Sequence, residues 1–157
     1  GPKDIFVKSP TQLGVWMHIT NQCNLRCKYC YVNKTSEKMS KETAETATKN
    51  IIRDAKKHGF KQITFKFSGG EALLELPMIL HIADLAKELA AKNKIKVDFV
   101  VLTNGVLVSD EVAKTLKDNN LRASLSLDGM KKYHDSQRVF PGGKGSFKYA
   151  MAGIENL

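Results

Sequence analysis

The sequence predicts an α/β fold, a partial parallel (β/α) barrel of about four βα units, and two observations predict it. Short β-rich runs alternate with helical patterns four times along the chain, an order that implies right-handed parallel crossovers. In three of the four strands apolar residues alternate with polar ones, whereas strands of a doubly wound sheet, covered on both faces, read as nearly continuous apolar runs. One apolar face against helices and one polar face describe a curved sheet, its concave side lining a cavity for a polar ligand. The plainer alternative is that the polar residues sit near strand ends and meet water.

The elements follow in order. Leu13 to Thr20 reads as the first strand, with Val15, Met17 and Ile19 alternating with Trp16, His18 and Thr20. Ser40 is placed as an N-cap for a helix to about His58, with Ala44, Ala47, Ile51, Ile52 and Ala55 on one face. Gly59 supplies its stop. Gln62 to Phe67 is the second strand, and Pro77 suits the first turn of a helix to about Asn93. Val97 to Thr103 is the third strand, apolar on both sides from Phe99 to Leu102. Ser109 caps a short helix to about Asn119, and Leu121 to Leu127 is the fourth strand. Ser146 is expected to cap a last helix carrying Phe147, Ala150, Met151, Ile154 and Leu157 at helical spacing. The glycine-rich run before it reads as a flexible loop, since it lacks the spacing of a phosphate loop.

The chain has 157 residues, 42% of them apolar, which suits one domain with a real core. Lys+Arg number 25 against 16 Asp+Glu, a net charge of +9. The basic residues are spread between apolar helix positions rather than gathered on one face with aromatics, so no nucleic-acid partner is expected. The apolar runs fall short of the roughly 18 residues a membrane span needs. No charged-then-apolar leader opens the sequence, so no membrane partner and a cytoplasmic location are expected. Gly1-Pro2 reads as the remnant of a cleaved tag, residues 3–12 as a lead-in and residues 13–157 as the core domain.

All three cysteines fall within one short segment, Cys23-Asn24-Leu25-Arg26-Cys27-Lys28-Tyr29-Cys30. An odd count does not suit a disulfide framework, and close packing in such a chain points to metal. Thiolates suit zinc or iron–sulfur clusters. A 4Fe-4S cluster held wholly by protein takes four thiolates, so three leave one iron open, and an open position is a reaction site. Zinc would need a second ligand pair downstream; His18 sits mid-strand, while His58, His81 and His134 lie far off in sequence. A structural metal-binding or non-catalytic electron-transfer module remains the alternative.

The stretch HITNQCNLRCKYCY, from His18 to Tyr31, resembles the signature of the radical S-adenosylmethionine (radical SAM) superfamily: three cysteines spaced by three and then two residues, an aromatic before the last, after the first barrel strand. FSGGEALL from Phe67 resembles the family's glycine-glycine-glutamate motif after the second strand. TNG from Thr103 and SLDG from Ser126 fall at the ends of the third and fourth strands, followed by HDSQR from His134 and GKGSF from Gly143. The last three resemble the branch of anaerobic sulfatase-maturating enzymes and SPASM-type peptide maturases. Ala72 stands where a proline often follows the glutamate. The chain supplies about four of the six βα units of the radical SAM fold, so the core is expected to be truncated after the fourth unit.

The resemblance implies two cofactors, a 4Fe-4S cluster on Cys23, Cys27 and Cys30 and S-adenosyl-L-methionine on its open iron. Reductive cleavage would give a 5'-deoxyadenosyl radical that abstracts hydrogen from a substrate, here a peptide or protein side chain. It implies that Tyr29 packs on the adenine, that a carbonyl at Gly69 or Gly70 accepts from the ammonium, and that Glu71 supports that ammonium by charge. Ser126, with Ser124 two residues earlier, is expected to bond the methionine carboxylate or ribose. Arg138 offers a carboxylate a fork of donors, and Asp128 is placed on the ribose or on the turn before Gly129. Thr103 and Asn104 are expected at the cavity mouth, though Asn-Gly is also a turn pair. His18 and Lys66 are read as facing the cavity. An electron donor such as a flavodoxin or ferredoxin completes the expected partners, with dimerisation along the open sheet edge as a hazard.

Overall fold

The structure is a computed structural model and describes residues 10–157. The readings for Gly1-Pro2 and for most of the lead-in lie outside the described residues. Four strands, β1 (Gln12–His18), β2 (Gln62–Ser68), β3 (Lys96–Thr103) and β4 (Leu121–Leu125), form one parallel sheet in the order β1-β2-β3-β4. Helices α1 (Lys41–Lys57), α2 (Leu76–Lys92) and α3 (Asp110–Asp118) make the crossovers. A 3₁₀ turn at Ala72–Glu75 precedes α2. Beyond β4 come α4 (Lys131–Gln137) and α5 (Phe147–Asn156).

The helix starts follow from capping chemistry. The Ser40 hydroxyl accepts from the Thr43 N–H at 3.1 Å, and the Ser109 hydroxyl from the Val112 N–H at 3.2 Å. Each satisfies a first-turn donor that has no helical partner. Gly59, at φ +76°, takes the left-handed backbone that ends α1.

The alternation of the strands becomes a one-sided sheet. Ile63, Phe65, Phe67, Phe99 and Val101 are buried under Ile52, Ile79, Ile82, Ala83 and Ala86 from the helices. The Phe99 ring stacks on Phe65 at 5.5 Å and on Phe67 at 6.2 Å. Each such side chain contributes about 1.5–3 kcal/mol by leaving water. The other face is open at its edges: Trp16 is 64% exposed, and Arg122 and Ser124 are exposed. Lys66 lies over the Trp16 ring at 5.2 Å. His18 bonds the Asn21 side chain at 2.7 Å. Neither lines the cavity at the cysteines; His18 lines a separate cleft beside Thr20, Asn21 and Glu37.

Three further expectations differ. The fourth strand stops at Leu125 rather than Leu127, because its neighbour β3 ends at Thr103; Ser126 still donates to the Thr103 carbonyl at 2.9 Å. Helix α4 carries a single buried residue, His134, so KKYHDSQ gives no apolar period to detect. Ser146 occupies the N-cap position of α5 but makes no side-chain cap bond. Its hydroxyl donates to the Arg138 carbonyl at 2.8 Å and lies 3.0 Å from His134 Nε2. The carboxylate of Asp135 caps α5 instead, accepting from the Phe147 N–H at 2.8 Å. The glycine-rich loop closes with an antiparallel Val139–Gly145 bridge.

Candidate active site

The cysteines sit on the long connection after β1, at the carboxyl ends of the parallel strands. Three ties fix that connection. Leu25, between the first two cysteines, is fully buried. The Arg26 N–H donates to Val139 O at 2.6 Å and the Lys28 N–H to Gln137 O at 3.0 Å, joining the cysteine loop to the segment around Arg138. Gly70 N–H donates to Thr20 O and Glu71 N–H to Gln22 O, each at 2.7 Å. A Cβ on Gly69 would run into the Thr20 backbone, and one on Gly70 into the Gln22 backbone. The two glycines therefore allow a close approach of β2's end to the cysteine loop itself.

A cavity of about 260 Å³ opens here. Cys23, Cys27, Cys30, Tyr29, Gly69, Gly70, Glu71, Thr103, Asn104, Ser126 and Arg138 all line it, so the structure brings together eleven of the thirteen residues read as cluster or S-adenosylmethionine contacts. Asp128 stands behind Tyr29 and Arg138. Ser124 is exposed on β4, in register with Leu102, which does line the cavity. Lys34 and Tyr31 also line it and were missed; nothing in a loop without periodicity marks them beyond their nearness to the cysteines.

Glu71 is buried, only 1% exposed. Its Oε1 accepts from the Thr103 hydroxyl at 2.7 Å and the Leu73 N–H at 3.1 Å, and its Oε2 from the Asn104 N–H at 2.8 Å. Burial raises its pKa above the ordinary carboxylate value, and the three donors pull it back. Asn104 then reaches the cysteine loop, donating to Asn24 Oδ1 at 2.8 Å. Thr103, expected at the cavity mouth, is 3% exposed and turned to this buried carboxylate.

On the opposite wall the Tyr29 hydroxyl donates to Asp128 Oδ2 at 2.6 Å. Arg138 Nε lies 3.0 Å from Asp128 Oδ1, an ion pair without hydrogen-bond alignment, and the guanidinium stands 5.5 Å from the Tyr29 ring centre. Partial burial and the Asp128 bond push the Tyr29 phenol up to about 12. Asp128 is held below its ordinary value: burial opposes ionisation, but the Tyr29 and Arg138 contacts outweigh it.

Burial pushes the Cys23 and Cys27 thiols up. Burial acts on Cys30 too, yet it is held below its ordinary value by the Lys34 ammonium, 2.8 Å from its sulfur. All three are free thiols. Among the described residues, no three His, Cys, Asp or Glu side chains gather tightly enough to hold one metal ion. A single zinc would draw its thiolates to about 2.3 Å. A cubane, whose corners are held by separate thiolates, makes no such demand, and three thiols around one cavity suit it.

A parallel α/β sheet with three thiols, a cationic fork and an aromatic ring around one cavity at its carboxyl ends has the form of a cofactor-binding half-barrel of an enzyme. The model of the radical SAM superfamily matches residues 17–157, and the chain belongs to that family. That family works with a 4Fe-4S cluster and S-adenosylmethionine. The chain is similar to the cysteine-type anaerobic sulfatase-maturating enzyme of Clostridium novyi (strain NT), 31% identical over 143 residues, covering 88% of this chain and 38% of that protein. It is also similar to the Fe-coproporphyrin III synthase of Methanosarcina barkeri (strain Fusaro), 34% identical over 154 residues, covering 96% of this chain and 35% of that protein. Among solved structures, native anSMEcpe with bound AdoMet and Kp18Cys peptide superposes with a TM-score of 0.80 at 28% identity, covering 92% of this chain and 40% of that one. The chain thus spans less than half the length of these relatives.

Proposed function

We propose that residues 13–157 form the cofactor-binding part of a radical SAM enzyme, with Cys23, Cys27 and Cys30 holding a 4Fe-4S cluster and S-adenosylmethionine seated in the cavity beside it. The observation that carries this is the convergence of the three thiols with Tyr29, Ser126 and Arg138 around one cavity. When bound and reduced, the pair supplies a 5'-deoxyadenosyl radical for hydrogen abstraction. Arg138 binds the methionine carboxylate with its terminal donors, while Asp128 stands ion-paired beside its Nε. Ser126 bonds the carboxylate or ribose. Tyr29 offers its ring to the adenine while Asp128 fixes its hydroxyl. Asp128 is thereby committed to Tyr29 and Arg138, which favours a positioning role over direct contact with ribose. Glu71 and Asn104 hold the cysteine loop against the strand ends, and the glycine pair offers backbone to the ammonium.

The substrate class we infer is a peptide or protein side chain, supported by the likeness to sulfatase-maturating enzymes and to a peptide-bound structure. Another relative is named an Fe-coproporphyrin III synthase, so a porphyrin is the other substrate class the likeness suggests. A flavodoxin or ferredoxin is the proposed electron donor, in the cytoplasm. Anaerobic reconstitution with iron and sulfide tests the reading. About four irons per chain, in an absorbance band that bleaches with dithionite, is expected, followed by release of 5'-deoxyadenosine from S-adenosylmethionine. Stoichiometric zinc with no such band would return the site to a structural metal module. A bleachable cluster that never cleaves S-adenosylmethionine would leave an electron carrier.

A further inference from the structure

Lys34 lies outside the cysteine motif, yet its ammonium reaches 2.8 Å from the Cys30 sulfur. It is anchored there by a second bond, 2.9 Å to the Val32 carbonyl, and it is half-buried at the cavity wall. The three thiols are not equivalent in this respect. Cys23 receives a backbone N–H from Leu25 at 3.4 Å and stands 3.9 Å from the Asn104 amide. Among the described residues, Lys34 is the only cationic side chain hydrogen-bonded to a cysteine sulfur.

We propose that Lys34 is a positioning and tuning residue that sets the reduction potential of the cluster through the Cys30 thiolate. The inference rests on the cluster assignment above. Reduction adds one negative charge to the cluster and its thiolates. A fixed positive charge and an N–H donor on one of those sulfurs stabilise the reduced state more than the oxidised one, and so raise the potential. The asymmetry places this effect on the Cys30 corner. Lys34 therefore makes the cluster easier to reduce by a physiological donor.

The test is a redox titration of the reconstituted chain, followed by the electron paramagnetic resonance signal of the reduced cluster, first without S-adenosylmethionine. Lys34→Gln removes the charge and Lys34→Arg keeps it. Iron and sulfide content is measured on each. Lys34→Gln is expected to take up the same iron and to disfavour reduction about tenfold, which is about 59 mV lower for a one-electron couple. Lys34→Arg is expected to stay near the parent. Equal potentials in Lys34→Gln and the parent would overturn the proposal. So would an unchanged potential together with weaker S-adenosylmethionine binding, which would make Lys34 a ligand of the nucleotide instead. Absence of any cluster in the parent protein would strike the cluster assignment rather than Lys34. Loss of the cluster in Lys34→Gln with retention in Lys34→Arg at the parent's potential would still support the charge acting on Cys30; loss in both would overturn it.

Discussion

The carboxylate of Glu71 accepts a 2.7 Å hydrogen bond from the Thr103 hydroxyl, joining the ends of β2 and β3 beneath the cysteine loop. The neighbouring Asn104 N–H shares the same carboxylate, and the Asn104 side chain passes the tie on to Asn24. Glu71→Ala leaves a hydroxyl and two N–H groups without an acceptor in a dry site. Each buried orphan costs about 1–3 kcal/mol, so a loss of about 3 kcal/mol or more is expected in urea unfolding. Glu71→Gln keeps one acceptor and is expected to lose less. Equal stability of the alanine variant and the parent would show that the carboxylate does not hold the strand ends.

Gly70 tests the same junction from the backbone. A Cβ there meets the Gln22 carbonyl region, which is backbone and cannot swing aside. Gly70→Ala is expected to cost about 1–3 kcal/mol as an overpacking change and to lower iron uptake on reconstitution, because the loop that moves carries Cys23. Gly142→Ala, where a Cβ meets open space, is the control and is expected to behave like the parent. Full iron uptake by Gly70→Ala would separate the glycine pair from cluster binding.

The arrangement of Arg138 predicts a difference between two basic residues. Its Nε is ion-paired with Asp128, and its guanidinium lies 5.5 Å from the Tyr29 ring centre. Lys lacks both the fork and the planar stack. In reconstituted protein, Arg138→Lys is expected to weaken S-adenosylmethionine binding by about tenfold or more, the scale of one charge-assisted bond. Equilibrium dialysis with the labelled nucleotide reads this directly. Asp128→Asn is expected to act in the same direction by releasing both Arg138 and Tyr29. Unchanged binding in Arg138→Lys would remove Arg138 from the ligand set.

The crossovers were legible because Ser40, Ser109, Gly59 and Pro77 mark helix ends by local chemistry, and because Ile63, Phe65 and Phe67 alternate with polar neighbours. The cysteine motif was legible because its spacing is local. What escaped was set by tertiary contact. Helix α4 buries only His134, so no period announces it. Asp135 caps α5 from twelve residues away, displacing the adjacent Ser146 that a local rule selects. Thr103 lines the cavity as its place at a strand end suggests, but its hydrogen bond to the buried Glu71 carboxylate comes only from the fold. Lys34 gains meaning only from a fold that sets its ammonium against Cys30.

His134 links these late elements and predicts a pH dependence. Its ring is fully buried, accepts from the Asp128 N–H at 3.3 Å through Nδ1, and meets the Ser146 hydroxyl at 3.0 Å through Nε2. The Phe147 ring packs edge-on at 5.5 Å. Burial, and then the Arg138 charge, hold its pKa below the ordinary 6.5, with Asp128 and Asp135 acting the other way. The unfolded chain therefore takes up the proton first as pH falls. Its contribution to stability is complete above about 6.5 and is lost as pH drops from there toward the lower folded value. The depressed carboxylates Asp128 and Asp135 add their own loss only near and below the ordinary 3.8. Urea midpoints measured from pH 7.5 to 5 are expected to decline in the parent and to flatten in His134→Gln, which keeps hydrogen-bonding groups but does not titrate. An identical decline in both proteins would place the titration elsewhere.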